Sequence, residues 1–167
     1  TLNGVVDIRV RDEAEAVEAT KRYLDYFLRR RIEPRPGNDE ALRDVVPEQR
    51  TRVYAVRDAI QNLADGGDWL ELRPTFGIGI VTALTRIGGH AVGIIANNPA
   101  HLGGAIDSDA ADKAARFTQL CDAHDLPIVS LCDTPGFMVG PEAEKTAQVR
   151  HFSRMFVTAG SITVPWI

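Results

Sequence analysis

The sequence predicts an α/β fold, and three observations carry that prediction. From residue 107 onward helical and strand-like apolar periods alternate, which is the arithmetic of crossover units in a layered structure. Gly88-Gly89 separates two apolar, β-branched runs, the signature of a tight hairpin. The chain has 167 residues, 44% of them hydrophobic, enough for one real core and too few for two full domains.

Taken in order, Gly4-Val5-Val6-Asp7-Ile8-Arg9-Val10 reads as a short strand. Asp12 with Glu15 is a capping-box-like helix start, and Ala14, Val17, Leu24, Phe27 and Leu28 follow at helical spacing. Arg29-Arg30-Arg31 complements the C-terminal end of a helix dipole; a phosphate grip is the other reading, and the solvated helix end is preferred. Pro34 to Pro47, rich in Pro and Gly at its start, is expected to be an irregular connector, and the domain division is drawn there, at 1–46 and 47–167.

Beyond the connector, Val53, Val56, Ile60 and Leu63 define an amphipathic helix that stops at Gly66-Gly67, and Trp69 to Leu72 alternates as a strand. Ile78–Thr85 and His90–Ala96 are the two arms of the hairpin. Ala110, Ala114, Phe117, Leu120, Cys121 and His124 share one face of the next helix, and Pro127–Cys132 is a buried strand. A single helix over about 142–158 and the start of another strand at 161–167 complete the chain.

Composition narrows the function. A net charge of −4 gives no electrostatic reason to expect nucleic acid or an anionic membrane as partner. No apolar run reaches bilayer-spanning length and the first residues lack the zones of a signal peptide, so a cytoplasmic protein is expected. Cys121 and Cys132 show no ligand spacing and are read as buried free thiols; His90, His101, His124 and His151 do not cluster with carboxylates or cysteines at metal-ligand spacing, so no metal site is expected. No nucleophile elbow, phosphate loop or dinucleotide fingerprint is present.

Two turns remain as candidates for chemistry, Asn97–Asp107 and Asp133–Phe137, because each combines glycine with a strand end, where backbone N–H groups can be aimed at a ligand. Taken alone, each is more often simply a tight turn. Asp133 either orients a ligand or makes the turn before Thr134-Pro135, and spacing does not choose between them.

Three passages, in order, resemble the carboxyltransferase family of biotin-dependent acyl-CoA carboxylases. They are Gly89-His90-Ala91-Val92-Gly93-Ile94-Ile95-Ala96-Asn97-Asn98-Pro99, then Gly104-Ala105-Ile106-Asp107 leading into Asp112-Lys113-Ala114-Ala115-Arg116-Phe117, then Leu126-Pro127-Ile128-Val129 through Asp133-Thr134-Pro135-Gly136-Phe137. Val46 to Asp68 resembles the family's linking helix, and 1–33 the closing strand and helix of its front half. Gly140 to Thr146 looks closer to the large single-chain carboxylases than to separate β subunits.

The resemblance implies a crotonase-like (ClpP/crotonase) spiral of ββα units, incomplete at both ends, with 1–46 as the tail of a front half and 47–167 as a truncated back half. It implies carboxylate transfer from carboxybiotin to the α-carbon of an acyl-CoA by enolate stabilisation, without a dedicated side-chain base. By position, Gly136 and Phe137 are the expected backbone N–H donors; Asp133, Pro135, Gly103, Gly104 and Ala105 are expected beside the biotin or acyl end. The cofactor is biotin, with acyl-CoA as substrate. Expected partners are the biotin carboxyl carrier domain, biotin carboxylase and the rest of the carboxyltransferase, in a homo-oligomer built from dimers, up to a hexamer. The chain alone is expected to be inactive. The alternative is a non-catalytic crotonase-like assembly or acyl-CoA-binding module; a hydratase or decarboxylase is disfavoured by the Asp133–Phe137 turn and the linking segment.

Overall fold

A computed structural model describes residues 3–28, 31–49 and 52–167. Its centre is a four-stranded sheet in the order β1 (Trp69–Leu72), β2 (Ile80–Ile87), β3 (His90–Asn97) and β4 (Ile128–Leu131). The first three strands are antiparallel neighbours, and β4 joins β3 in parallel with Gly93 opposite Ile128.

The hairpin forms because Gly88 and Gly89 both take positive φ, as a two-residue turn between right-twisted strands requires. Both turn N–H groups donate to the buried Asp65 carboxylate, at 2.9 and 2.6 Å. A polar acceptor is thereby buried with its partners in place.

Helix α1 covers Glu13–Asp25, α2 Asp39–Val45, α3 Val56–Leu63, α4 Ser108–Ala123, α5 Pro141–Lys145 and α6 Gln148–Ala159. The period-2 alternation of the strands sorts their side chains onto two faces. Leu70, Leu72, Ile80, Leu84, Ile95 and Ile128 pack with Phe117 and Cys121 of α4. On the opposite face Val81, Ala83, Val92, Ile94 and Ala96 pack with Val56 and Ile60 of α3. Close helix–sheet approach depends on Gly93, where a Cβ would strike Cys121 Sγ and crowd the Phe117 ring.

The crossover β3–α4–β4 is as expected. Residues 161–167 form no strand; they make a single parallel bridge, Ile128 to Trp166, with Ile128 N donating to Pro165 O and Ile167 N to Ile128 O.

Several elements differ from expectation. Gly4–Val10 is not a strand: its one ladder-like bond runs from Arg73 N to Asp7 O, and β-propensity without a paired edge does not make a strand. Helix α1 ends at Asp25 instead of running to the arginines; Arg29 and Arg30 lie outside the described residues. The connector contains α2, because Asn38 accepts from Ala41 N at 3.0 Å and Asp39-Glu40 occupy the first turn.

The helix expected over 142–158 is two, broken where Ala147 takes a left-handed φ of 54°. Cys121 is buried, but Cys132 is exposed, since it follows the end of β4, an edge strand of the sheet. Val17, Leu24 and Leu28 of the α1 region, and Phe156 and Val157 of α6, are also exposed despite their apolar character. Among the described residues no helix is long and apolar enough to cross a membrane.

Candidate functional site

The two glycine turns meet at the C-terminal ends of the adjacent parallel strands β3 and β4. The first turn leaves β3 at Asn97, passes through a 3₁₀ turn at Leu102–Gly104 and enters α4, whose N-cap Asp107 accepts from Ala110 N at 2.8 Å. The second leaves β4 and runs from Asp133 to Phe137.

Three interactions lock the turns together. The buried Asn97 side chain donates from Nδ2 to Gly104 O at 3.4 Å and accepts from Asp133 N at 3.3 Å. Gly104, at φ 86°, lies so close to the second turn that a Cβ would strike the Asp133 carbonyl oxygen. Ile106 and Phe137 form a parallel bridge, with Ile106 N donating to Gly136 O and Met138 N to Ile106 O.

The backbone donors at this wall are not equivalent. Gly136 N–H is committed to Thr134 Oγ1 at 2.9 Å, within its own turn. Gly104 N–H and Ala105 N–H close the 3₁₀ turn on His101 O and Leu102 O. Among the described residues the Phe137 N–H has no acceptor. Gly103 and Gly136 have no heavy atom within 4 Å of where a Cβ would stand, so the backbone is open to close approach there.

Phe137 is anchored by its ring, which stacks on Phe152 of α6 with centroids 4.5 Å apart. The backbone N–H thus belongs to a residue whose side chain is packed against a helix. Asp133 and Pro135 are exposed, and Asp133 with Gly103, Pro99, Pro47, Val53 and Tyr54 lines a cleft of about 460 Å³.

Tyr54 and the double role of Asn97 were not foreseen from sequence. Tyr54 Oη donates to Asp133 Oδ2 at 2.9 Å across 79 positions of chain. Burial, then the Asp133 hydrogen bond and charge, push its phenol up to about 12, so it remains a donor throughout the neutral range. His101, placed in the first turn by sequence, faces Asp107 at 3.1 Å and braces the start of α4. Among the described residues no three His, Cys, Asp or Glu side chains gather as a metal site.

A mixed sheet with a helix on each face and two strand-end turns joined into one wall defines a crotonase-like α/β fold, the fold of the carboxyltransferases this chain superimposes on. Residues 1–167 match the carboxyl transferase domain, and the chain belongs to that family.

The 12S subunit of methylmalonyl-CoA carboxyltransferase from Propionibacterium freudenreichii subsp. shermanii is 35% identical over 174 residues, covering 99% of this chain and 33% of the relative. A single-chain, multi-domain long-chain acyl-CoA carboxylase superimposes with a TM-score of 0.94 at 54% identity, covering 98% of this chain and 16% of that one. The hexameric transcarboxylase 12S structure with methylmalonyl-CoA and methylmalonic acid bound gives 0.87 at 35% identity, over 94% of this chain and 32% of that one. The chain therefore spans about a third of the length of the curated relatives it matches.

Proposed function

We propose that this chain forms the carboxybiotin-facing part of the carboxyltransferase of an acyl-CoA carboxylase, moving carboxylate from carboxybiotin to the α-carbon of an acyl-CoA. The observation that carries this reading is the joined wall of the two turns, where Phe137 presents an unengaged backbone N–H beside open glycines. Family membership and the carboxylase and carboxyltransferase relatives support it.

The residues fit a biotin ureido group, which is neutral, polar and needs donors on its oxygen without a competing metal or cation. When bound, carboxybiotin supplies the carboxylate and, through the ureido nitrogen, the base for the α-proton. The chain contributes positioning and donor stabilisation. Phe137 N–H is the primary donor in this reading; Gly136 opens the approach, and its own N–H joins only by giving up Thr134. Asp133, Pro135, Gly103, Gly104 and Ala105 form the wall against which biotin or the acyl end rests, and Asp133 is held in place by Tyr54.

In the same reading, residues 1–46 are the tail of a first transferase half with its connector, and 47–167 belong to the second half. The exposed apolar side chains of α1 and α6 suit packing against further transferase residues and other protomers. The biotin carboxyl carrier domain and biotin carboxylase are the functional partners, and the compartment is the cytoplasm.

An amide-resolved NMR titration of the ¹⁵N-labelled chain with free biotin tests the site. The expected result is a saturable shift at Phe137 and at Gly103–Ala105; shifts absent from both turns overturn the biotin assignment. In the longer transferase, methylmalonyl-CoA-driven carboxylation of free biotin is expected to be lost with Phe137→Pro, which removes the N–H.

A further inference from the structure

A second cavity, of about 270 Å³, lies between α1, the end of β1 and α4, and shares no lining residue with the cleft at Asp133. Lys113 lines it. Only 1% of this residue is exposed, and among the described residues its Nζ has no hydrogen-bond partner. A buried ammonium without an acceptor is among the costliest arrangements a fold can hold, unless an anion completes it.

Two further cations border the same space. Arg73, also buried, pairs with Asp7, its Nε 2.8 Å from Asp7 Oδ1. Arg116 is exposed at the mouth and has no ion pair among the described residues. Among the described residues Asp7 is the one carboxylate lining the cavity. Glu71, the acid whose charge acts on Lys113, is already held by two nitrogens of Arg57 at 2.9 and 2.7 Å.

We propose that Lys113, Arg73 and Arg116 form a binding site for one anionic group, a carboxylate or a phosphate. The space admits such a group with accompanying water, and a wider cleft of about 550 Å³ that shares Arg73, Arg116 and Gln119 opens it to the surface. Lys113 supplies the buried point charge, and the guanidinium of Arg116 supplies a forked donor at the entrance. Without an anion, burial depresses the Lys113 ammonium to about 8, with Arg57 and Arg73 adding to the depression and Glu71 opposing it. A bound anion reverses that balance. The inference does not depend on the carboxyl-transfer reading.

The test reads the titration midpoint of the Lys113 side chain by NMR of lysine labelled at Cε, with the exposed Lys21 and Lys145 as internal references. Sodium phosphate and sodium acetate are compared with sodium chloride at equal ionic strength. One or both of the oxyanions is expected to raise the Lys113 midpoint by at least one unit and to raise Tm, while chloride does neither. Arg116→Gln, an exposed change that does not threaten folding, should increase the half-saturating concentration at least tenfold. Lys113→Met should abolish the rise in Tm.

A midpoint that climbs with protein concentration in the absence of added oxyanion identifies the group as a carboxylate from a second copy and also supports the site. A midpoint near 8 that neither oxyanion nor protein concentration moves overturns the proposal. So does an unchanged half-saturation in Arg116→Gln, or a Lys113 midpoint above 10 in dilute, oxyanion-free protein.

Discussion

Tyr54 Oη donates a 2.9 Å hydrogen bond to Asp133 Oδ2, joining the segment before α3 to the turn after β4. That bond fixes the carboxylate at the edge of the cleft that both residues line. Tyr54→Phe removes the donor and leaves the ring, so stability should fall by about 1 kcal/mol. Urea denaturation followed by fluorescence measures the change, and the carboxylate freed in the variant should weaken free-biotin binding in the NMR titration.

Gly104 and Gly103 offer a paired test of the wall. Both have positive φ, 86° and 60°, but only Gly104 faces the Asp133 carbonyl, whereas Gly103 faces open space. Gly103→Ala should cost about 1 kcal/mol, the strain of a left-handed Ala. Gly104→Ala adds displacement of the neighbouring turn, for a total of roughly 3 kcal/mol. Thermal denaturation of the two variants should therefore rank them in that order, and an equal loss would mean that the two turns are not in contact.

Lys113 gives stability a defined pH dependence. Its folded value is depressed from 10.5 to about 8, so between those limits the unfolded chain holds a proton that the folded chain has released. Stability should therefore rise with pH across that window in oxyanion-free buffer, by an amount on the order of 3 kcal/mol. Cys121 acts in the opposite sense above pH 9, because burial holds its thiol up to about 12 in the folded state. Subtracting the stability curve of Lys113→Met, which retains Cys121, isolates the lysine, and a flat difference curve would show that the ammonium is not desolvated.

The thiols should separate cleanly in reactivity. Cys132 is exposed and Cys121 is fully buried behind Gly93 and Phe117. An aromatic disulfide reagent should titrate one thiol per native chain quickly and the second only on unfolding. Two fast thiols would place the α4–sheet interface in an open state.

Much of the architecture was legible in local sequence because the signals are themselves local. The hairpin followed from Gly88-Gly89 between two apolar runs, and α4 from Ala110, Ala114, Phe117 and Cys121 on one face. The ordered passages from Gly89 to Phe137 resemble the carboxyltransferase family at the level of sequence alone. Failures fell where a neighbour decides the outcome. Gly4–Val10 has β-propensity but no paired edge, and the break at Ala147 sits inside a run whose periodicity reads as one helix.

What sequence alone determined, then, was the order of elements from α3 to β4, the family and the two turns carrying Gly103–Ala105 and Asp133–Phe137. Only the tertiary structure decided which of their donors is unengaged, that Asn97 holds Gly104 and Asp133 across separations of 7 and 36 residues, and that Lys113 is buried without an acceptor. The physical reason is that helix and strand periods are written in adjacent residues. Hydrogen-bond satisfaction and desolvation depend on groups that meet only when the chain has folded.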